Sequence, residues 1–292
     1  MMKKAFLLLC LLATTTIATA TDLWEGTHAV DWSNTLTIEA TKFAEAQVGQ
    51  KIVIEFTDAT GEVIELHSNA GMLPGTRYAH FLYADQHEME VFITSGMLAC
   101  LKEHGMEICG KGFTATKVWY GDGKENVDEN TVWTGYFWMD EWSTLEVAKT
   151  SFDGISWNDY KAIRFYSEAN RTDYVINVLT KWNDEGGKLG EQTTMTMTNE
   201  YAELNLEGID MAAKLADVDR LMVQCNKEGG NPFNFTAIVL VKKETTGVSA
   251  TLMDSEKVDG KAYNLAGQHV DSPSKGLYIV NGKKVLVKKN RY

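Results

Sequence analysis

The chain reads as an all-β protein: two tandem antiparallel β-sandwich modules of jelly-roll-like form, followed by a short C-terminal β-hairpin tail. Three observations predict this. Apolar and polar residues alternate over strand-length runs, polar turn clusters interrupt the chain about every eight to fifteen residues, and one set of motifs occurs twice, about 110 residues apart. Regular short spacing of this kind suits a sandwich better than βαβ units.

The first twenty residues stand apart. Lys3-Lys4, the apolar run from Ala5 to Leu12 and the small-x-small triplet Ala18-Thr19-Ala20 predict a secretory signal peptide over 1–20, cut after Ala20. Cys10 follows Leu7-Leu8-Leu9 rather than a small residue, which argues against a lipoprotein anchor. No later window reaches eighteen uninterrupted apolar residues, so no membrane span is expected.

Module 1 is predicted over 21–121. It opens on Trp24-Glu25-Gly26 and Trp32-Ser33-Asn34-Thr35-Leu36, continues through the strand Lys51-Ile52-Val53-Ile54-Glu55-Phe56, and closes on Phe113-Thr114-Ala115-Thr116-Lys117-Val118. The acidic, polar stretch 122–130 reads as a linker. Module 2, over 131–243, repeats the order with Trp133-Thr134-Gly135, then Trp142-Ser143-Thr144-Leu145. Lys161-Ala162-Ile163-Arg164-Phe165-Tyr166 is its matching strand, and Phe235-Thr236-Ala237-Ile238-Val239-Leu240 matches the Phe113 segment. The second copy departs mid-module and carries an insertion around Gly187 to Asn205. Two segments lean helical, Gly96 to Gly105 and Ile209 to Leu215.

The tail, 244–292, differs in charge. Of a net −12, the chain from Lys242 onward carries ten basic against five acidic residues, a local +5; the preceding body carries 18 against 35, or −17. So acidic a body repels nucleic acid and anionic lipid. Within the tail, Asn281-Gly282 is a favoured type I′ turn pair. That turn predicts Val280 opposite Lys283 and Tyr278 opposite Val285, with Tyr278, Val280, Val285 and Val287 on one face.

Two resemblances follow from these residues. The tail's YNLAGQ box (263–268), its KGLYIVNGKK box (275–284) and the final basic strand resemble the sorting tail of Bacteroidetes proteins exported by the type IX secretion system. The resemblance implies delivery to the outer-membrane surface or the medium, with the secretion and sorting machinery as partner. The body, with WxG and WS…L at its start and GKGFTATKV (110–118) near its end, resembles β-sandwich modules of secreted Bacteroidetes proteins regarded as carbohydrate-binding-like. That implies a glycan partner. The body resemblance covers most of 23–120 and is looser over 132–243.

The chemistry-bearing residues point the same way. No GxSxG, HExxH, P-loop or dinucleotide fingerprint occurs. Cys100, Cys109 and Cys225 remain after signal removal; Cys100 and Cys109 could pair, or all three stay thiols. His67, His80, His87 and His104 read as hydrogen-bonded or surface histidines rather than metal ligands. No cofactor is expected. Asp58, Asp122, Asp128 and Asp184 could join calcium sites of the kind common on secreted β-sandwiches, but they lack the spacing of a calcium loop.

Aromatic residues are the better lead, because a flat ring suits the C–H face of a pyranose. All eight tryptophans lie between 24 and 182. The repeated Trp24, Trp32, Trp133 and Trp142 are expected in core or module-edge packing. Trp138 and Trp182 sit among polar neighbours and are expected to be exposed; with Trp157, Tyr78 and Tyr83 they form the predicted ligand-binding set. The function predicted is non-catalytic glycan binding at the cell surface or outside it. Alternatives are an adhesin-like envelope protein that binds proteins, or a small glycan hydrolase.

Overall fold

The computed structural model describes residues 20–69, 71–124, 127–168, 175–182, 189, 194–196, 201–225, 233–243, 251–254, 261–264, 267–271, 276–280 and 283–288. The expected signal peptide, Asp184 and the Asn281-Gly282 turn therefore lie outside the described residues. Among those described, no helix is long and apolar enough to cross a membrane.

Residues up to Lys242 form one compact unit holding two sandwiches. In the first, the strands are β1 (Thr21–Val30), β2 (Leu36–Ile38), β3 (Lys51–Thr57), β4 (Val63–Ser68), β5 (Gly71–Met72), β6 (His80–Phe81), β7 (Glu88–Phe92), β8 (Met106–Gly110) and β9 (Phe113–Gly121). They pair antiparallel as β1-β9-β3-β7 and β2-β8-β4-β5, with β6 also on β4. In the second they are β10 (Thr131–Met139), β11 (Thr144–Ala148), β12 (Tyr160–Ser167), β13 (Val175–Leu179), β14 (Thr194–Thr196), β15 (Tyr201–Asn205), β16 (Arg220–Cys225) and β17 (Phe233–Lys242). Their orders, β10-β17-β12-β15 and β11-β16-β13-β14, match the first sandwich strand for strand. First strand on last and second on penultimate is the nested order of a jelly roll. The whole chain is all-β in class, and each module has its own apolar core between its sheets.

The shared topology explains the repeated motifs. A Cβ on Gly26 would sit 2.8 Å from Cζ2 of Trp24, and one on Gly135 2.9 Å from Cζ2 of Trp133. Each indole lies over the glycine two residues on, on the same side of the strand, so WxG is a packing unit. Both first strands also carry bulges at matching places, Glu25/His28 and Thr134/Phe137. One expected match needs correcting. Trp24 pairs with Val118 and Trp133 with Ile238, while Val30 pairs with Phe113 and Met139 with Phe233. The counterpart of Phe113 is therefore Phe233, not Phe235. A two-residue slip keeps every side chain on its face, so sequence alternation could not detect it. The expected insertion also shrinks, because Tyr201–Asn205 is β15, the counterpart of β7.

Among the described residues each module carries one α-helix, α1 (Ser95–His104) and α2 (Met211–Ala216), before its penultimate strand. Thr94 caps α1 by accepting from the Met97 N–H, and Asp210 caps α2 by accepting from the Ala213 N–H at 3.0 Å. Met97 and Leu101 are the buried pair of α1; Met211 and Leu215 are that of α2.

The two sandwiches share a seam. A segment of module 1 lies along the free edge of β11, with Arg77 opposite Val147. The Tyr78 N–H donates to the Glu146 carbonyl (2.8 Å), and the Ala148 N–H to the Thr76 carbonyl (3.2 Å). Thr150 Oγ1 donates to the Met72 carbonyl at 2.6 Å, and the Gly75 N–H to Ser151 Oγ at 2.8 Å. Lys124, inside the expected linker, takes the Gly49 carbonyl with its N–H and the Gly135 carbonyl with Nζ, at 2.8 and 2.7 Å.

Residues Lys243–Tyr292 form a second unit. It is a five-stranded sheet, ordered β18-β22-β21-β19-β20, of β18 (Thr251–Asp254), β19 (Ala262–Tyr263), β20 (His269–Val270), β21 (Gly276–Val280) and β22 (Lys283–Lys288). The hairpin register is the expected one, Tyr278 opposite Val285 and Val280 opposite Lys283. Val280, Val285 and Val287 are buried with Ala262, and Tyr278 packs against them. Thus the tail is more than a hairpin: β18 adds in parallel to β22, and β19 adds antiparallel to β21.

Candidate functional site

The five predicted residues do not converge on one surface. On β10, side chains alternate after the bulge: Phe137 and Met139 point into the core, while Tyr136 and Trp138 face outward, 54% and 59% exposed. Trp138 stands opposite Asn234, whose Nδ2 donates to Glu168 Oε2 at 2.8 Å. An exposed indole thus has an amide and a carboxylate beside it. Tyr136 is less open, because Lys124 Nζ sits 3.9 Å above its ring and Phe92 meets its edge at 6.1 Å. The module 1 positions matching Tyr136 and Trp138 are Thr27 and Ala29, so the aromatic character belongs to module 2.

Trp182 is exposed but lies past β13, at the Arg220 end of β16, whereas the turn after Trp138 meets the Cys225 end. Tyr83 is also exposed, just after β6. Tyr78 belongs to the seam: the Arg220 guanidinium lies 3.6 Å over its ring, and Arg220 pairs with both Glu146 and Asp219. Burial of the Tyr78 hydroxyl pushes its pKa up.

Of the repeated tryptophans, Trp133 is buried and Trp24 packs against its module's core, as a fold requirement predicts. Trp32 and Trp142 are instead exposed, in the turns after β1 and β10. Trp142 holds φ at +63°, a left-handed conformation uncommon for a bulky residue, and its Nε1 donates to Glu141 at 3.0 Å.

Trp157 lines a groove of about 230 Å³ in module 2. Its ring stacks on Phe152 with centroids 6.1 Å apart and planes 24° from parallel. Ala212, Leu215 and Ala216 of α2 form the facing wall; Gly154, Ile155 and the ion pair Lys149–Asp153, 3.3 Å apart, complete the lining. Sequence reading singled out Trp157 and missed the rest, which come from two segments sixty residues apart. The signal was available only in comparison between copies. Aligning the buried helix pairs sets Leu98, packed on the module 1 core, against Ala212.

Among the described residues, no three His, Cys, Asp or Glu side chains gather where they could hold a metal ion. His80 lines a small cavity with Arg77, Ile64, Leu66, Thr76, Met89 and Val91. Burial, then the charge of Arg77, drops its pKa to about 3. Cys109 is a buried thiol whose pKa burial pushes up to about 12.

Comparison with protein-family models finds no match, and comparison with curated proteins finds none. Among solved structures, the chain is similar to Bacteroides ovatus mixed-linkage glucan utilization locus (MLGUL) SGBP-B in complex with mixed-linkage heptasaccharide, at a TM-score of 0.31 and 18% identity. The similarity covers 35% of this chain and 28% of that one, so less than a third of that neighbour's length is spanned. At that level the likeness carries no argument about ligand, and any functional reading rests on this chain's own side chains.

Proposed function

We propose that this chain is an exported, non-catalytic protein that binds a glycan through its second sandwich. The observation that carries the reading is Trp138: an indole 59% exposed on an edge strand, opposite Asn234 and beside Glu168. The ring offers a face to sugar C–H groups, and the amide and carboxylate offer partners for hydroxyls. A large aromatic left in water gains nothing for the fold, and the matching position of module 1 is a plain alanine, Ala29.

Hydrolysis is not part of the reading. Retaining and inverting glycosidases need two facing carboxylates, and the groove is lined by one, Asp153, already tied to Lys149. Residues 243–292 serve export and surface sorting, supported by their two sequence boxes, their basic charge and their separation as a unit.

Affinity electrophoresis of the full chain against a panel of soluble polysaccharides tests the binding. Retention on at least one glycan is expected, with Trp138→Ala weakening it about tenfold, equivalent to about 1.4 kcal/mol. Indifference to the whole panel, or unchanged retention in the variant, refutes the reading. For sorting, deletion of Lys261–Tyr292 is expected to leave the protein in the periplasm; undiminished surface display overturns that part.

A further inference from the structure

We infer that the Phe152–Trp157 groove of module 2 is a second site, which takes one neutral pyranose ring rather than a stretch of polymer. The ligand class rests on the glycan-binding reading; the site itself lies apart from Trp138 and is argued from different residues.

The groove is a point of divergence within a duplicated frame. Phe43 in module 1 and Phe152 in module 2 end matching 3-10 turns, Ala40–Phe43 and Lys149–Phe152, and both are buried. What faces them differs. With Met97 and Leu101 matched to Met211 and Leu215, Leu98 becomes Ala212 and Lys102 becomes Ala216. The helix also shortens from ten residues to six. The two alanines remove side-chain volume on the side facing Phe152. Module 2 then places Trp157 at the mouth, so the space is lined with aromatic surface and stays open at about 230 Å³.

The chemistry of the lining selects the ligand. Phe152, Ile155, Trp157 and Leu215 give the groove an apolar lining. Lys149 and Asp153 stand at the rim as one cation and one anion 3.3 Å apart, so the rim has donors and acceptors but no net charge. A pyranose matches both parts: its C–H face lies on the indole, and its equatorial hydroxyls reach an ammonium and a carboxylate. A charged sugar would have to break the Lys149–Asp153 pair to gain a partner. The volume falls below the roughly 300–1,000 Å³ typical of drug-sized ligand pockets, which suits one ring, free or at a chain end.

The test uses the full chain with methyl glycosides of neutral hexoses, read by ligand-observed saturation-transfer NMR and by tryptophan fluorescence titration. Binding of at least one hexoside is expected. Ala212→Leu, which restores the side chain of the first copy, is expected to weaken it at least tenfold while the thermal midpoint stays the same or rises. Trp157→Ala is expected to lose both the binding and the fluorescence change. Unchanged binding in Ala212→Leu overturns the inference, and so does a response limited to methyl glucuronide. Polysaccharide retention separates the two readings. If the wild-type chain is retained on a polysaccharide but binds no hexoside, the groove fails and the Trp138 site stands; if it does neither, both fail.

Discussion

Replacing Ala148 by proline isolates one hydrogen bond of the inter-module seam. Ala148 has φ −54° and ψ 134°, inside the range a proline ring imposes, so the backbone need not move. Its N–H points away from β16 and donates to the Thr76 carbonyl. The substitution deletes that donor and leaves the carbonyl of a buried residue, Thr76 at 2% exposure, without it. An orphaned buried acceptor costs about 1–3 kcal/mol. The stiffer unfolded chain returns about 0.4–1 kcal/mol. The net expectation is a loss of about 1–2 kcal/mol, a fall of roughly 2–8 °C in Tm for a unit of this size. Glu39→Pro is the control, because Glu39 (φ −64°, ψ 145°) precedes the matching 3-10 turn of module 1 and is exposed. Urea unfolding followed by tryptophan fluorescence measures both. If Ala148→Pro is as stable as wild type, or no less stable than Glu39→Pro, the Ala148–Thr76 bond contributes nothing to the seam.

Two further outcomes are expected. Gly135→Ala should lose about 1–3 kcal/mol, because a Cβ 2.9 Å from the ring of the buried Trp133 overpacks it; a denaturation midpoint equal to wild type would refute the packing role of WxG. His80 should make stability fall with acid. Its folded pKa, about 3, lies below the ordinary 6.5, so between those values the unfolded chain takes a proton that the folded one refuses. Stability is then fully present above pH 6.5 and declines as pH falls toward 3, by at most about 1.4 kcal/mol per unit. Carboxylates titrate in the same range, so the readout is the difference between wild type and His80→Gln at pH 7, 5.5 and 4.5. Parallel curves would show that His80 contributes none of the slope.

What the sequence determined by itself was everything governed by short-range periodicity. Strand alternation, the doubled WxG and WS…L motifs, the two helical segments and the register of the Tyr278–Val285 hairpin are each set by residues within a few positions of one another. The exposure of Trp138 was legible from its polar neighbours Asp140 and Glu141, and its alternation with Phe137 and Met139 on β10 is what produces it.

Tertiary structure decided what depends on residues far apart in the chain. The true counterpart of Phe113 is Phe233, and a slip of two along a strand is invisible to a pattern of period two. Tyr78 looks like any aromatic among polar neighbours until Arg220, 142 positions later, closes over its ring at 3.6 Å. The seam itself is made largely of backbone donors and acceptors, which every residue carries and no composition reveals. Trp157 was visible as a candidate, but the groove it lines depends on Ala212 and Ala216, which stand where the first copy has Leu98 and Lys102. A cavity is a property of the space between elements, and a sequence records only the elements.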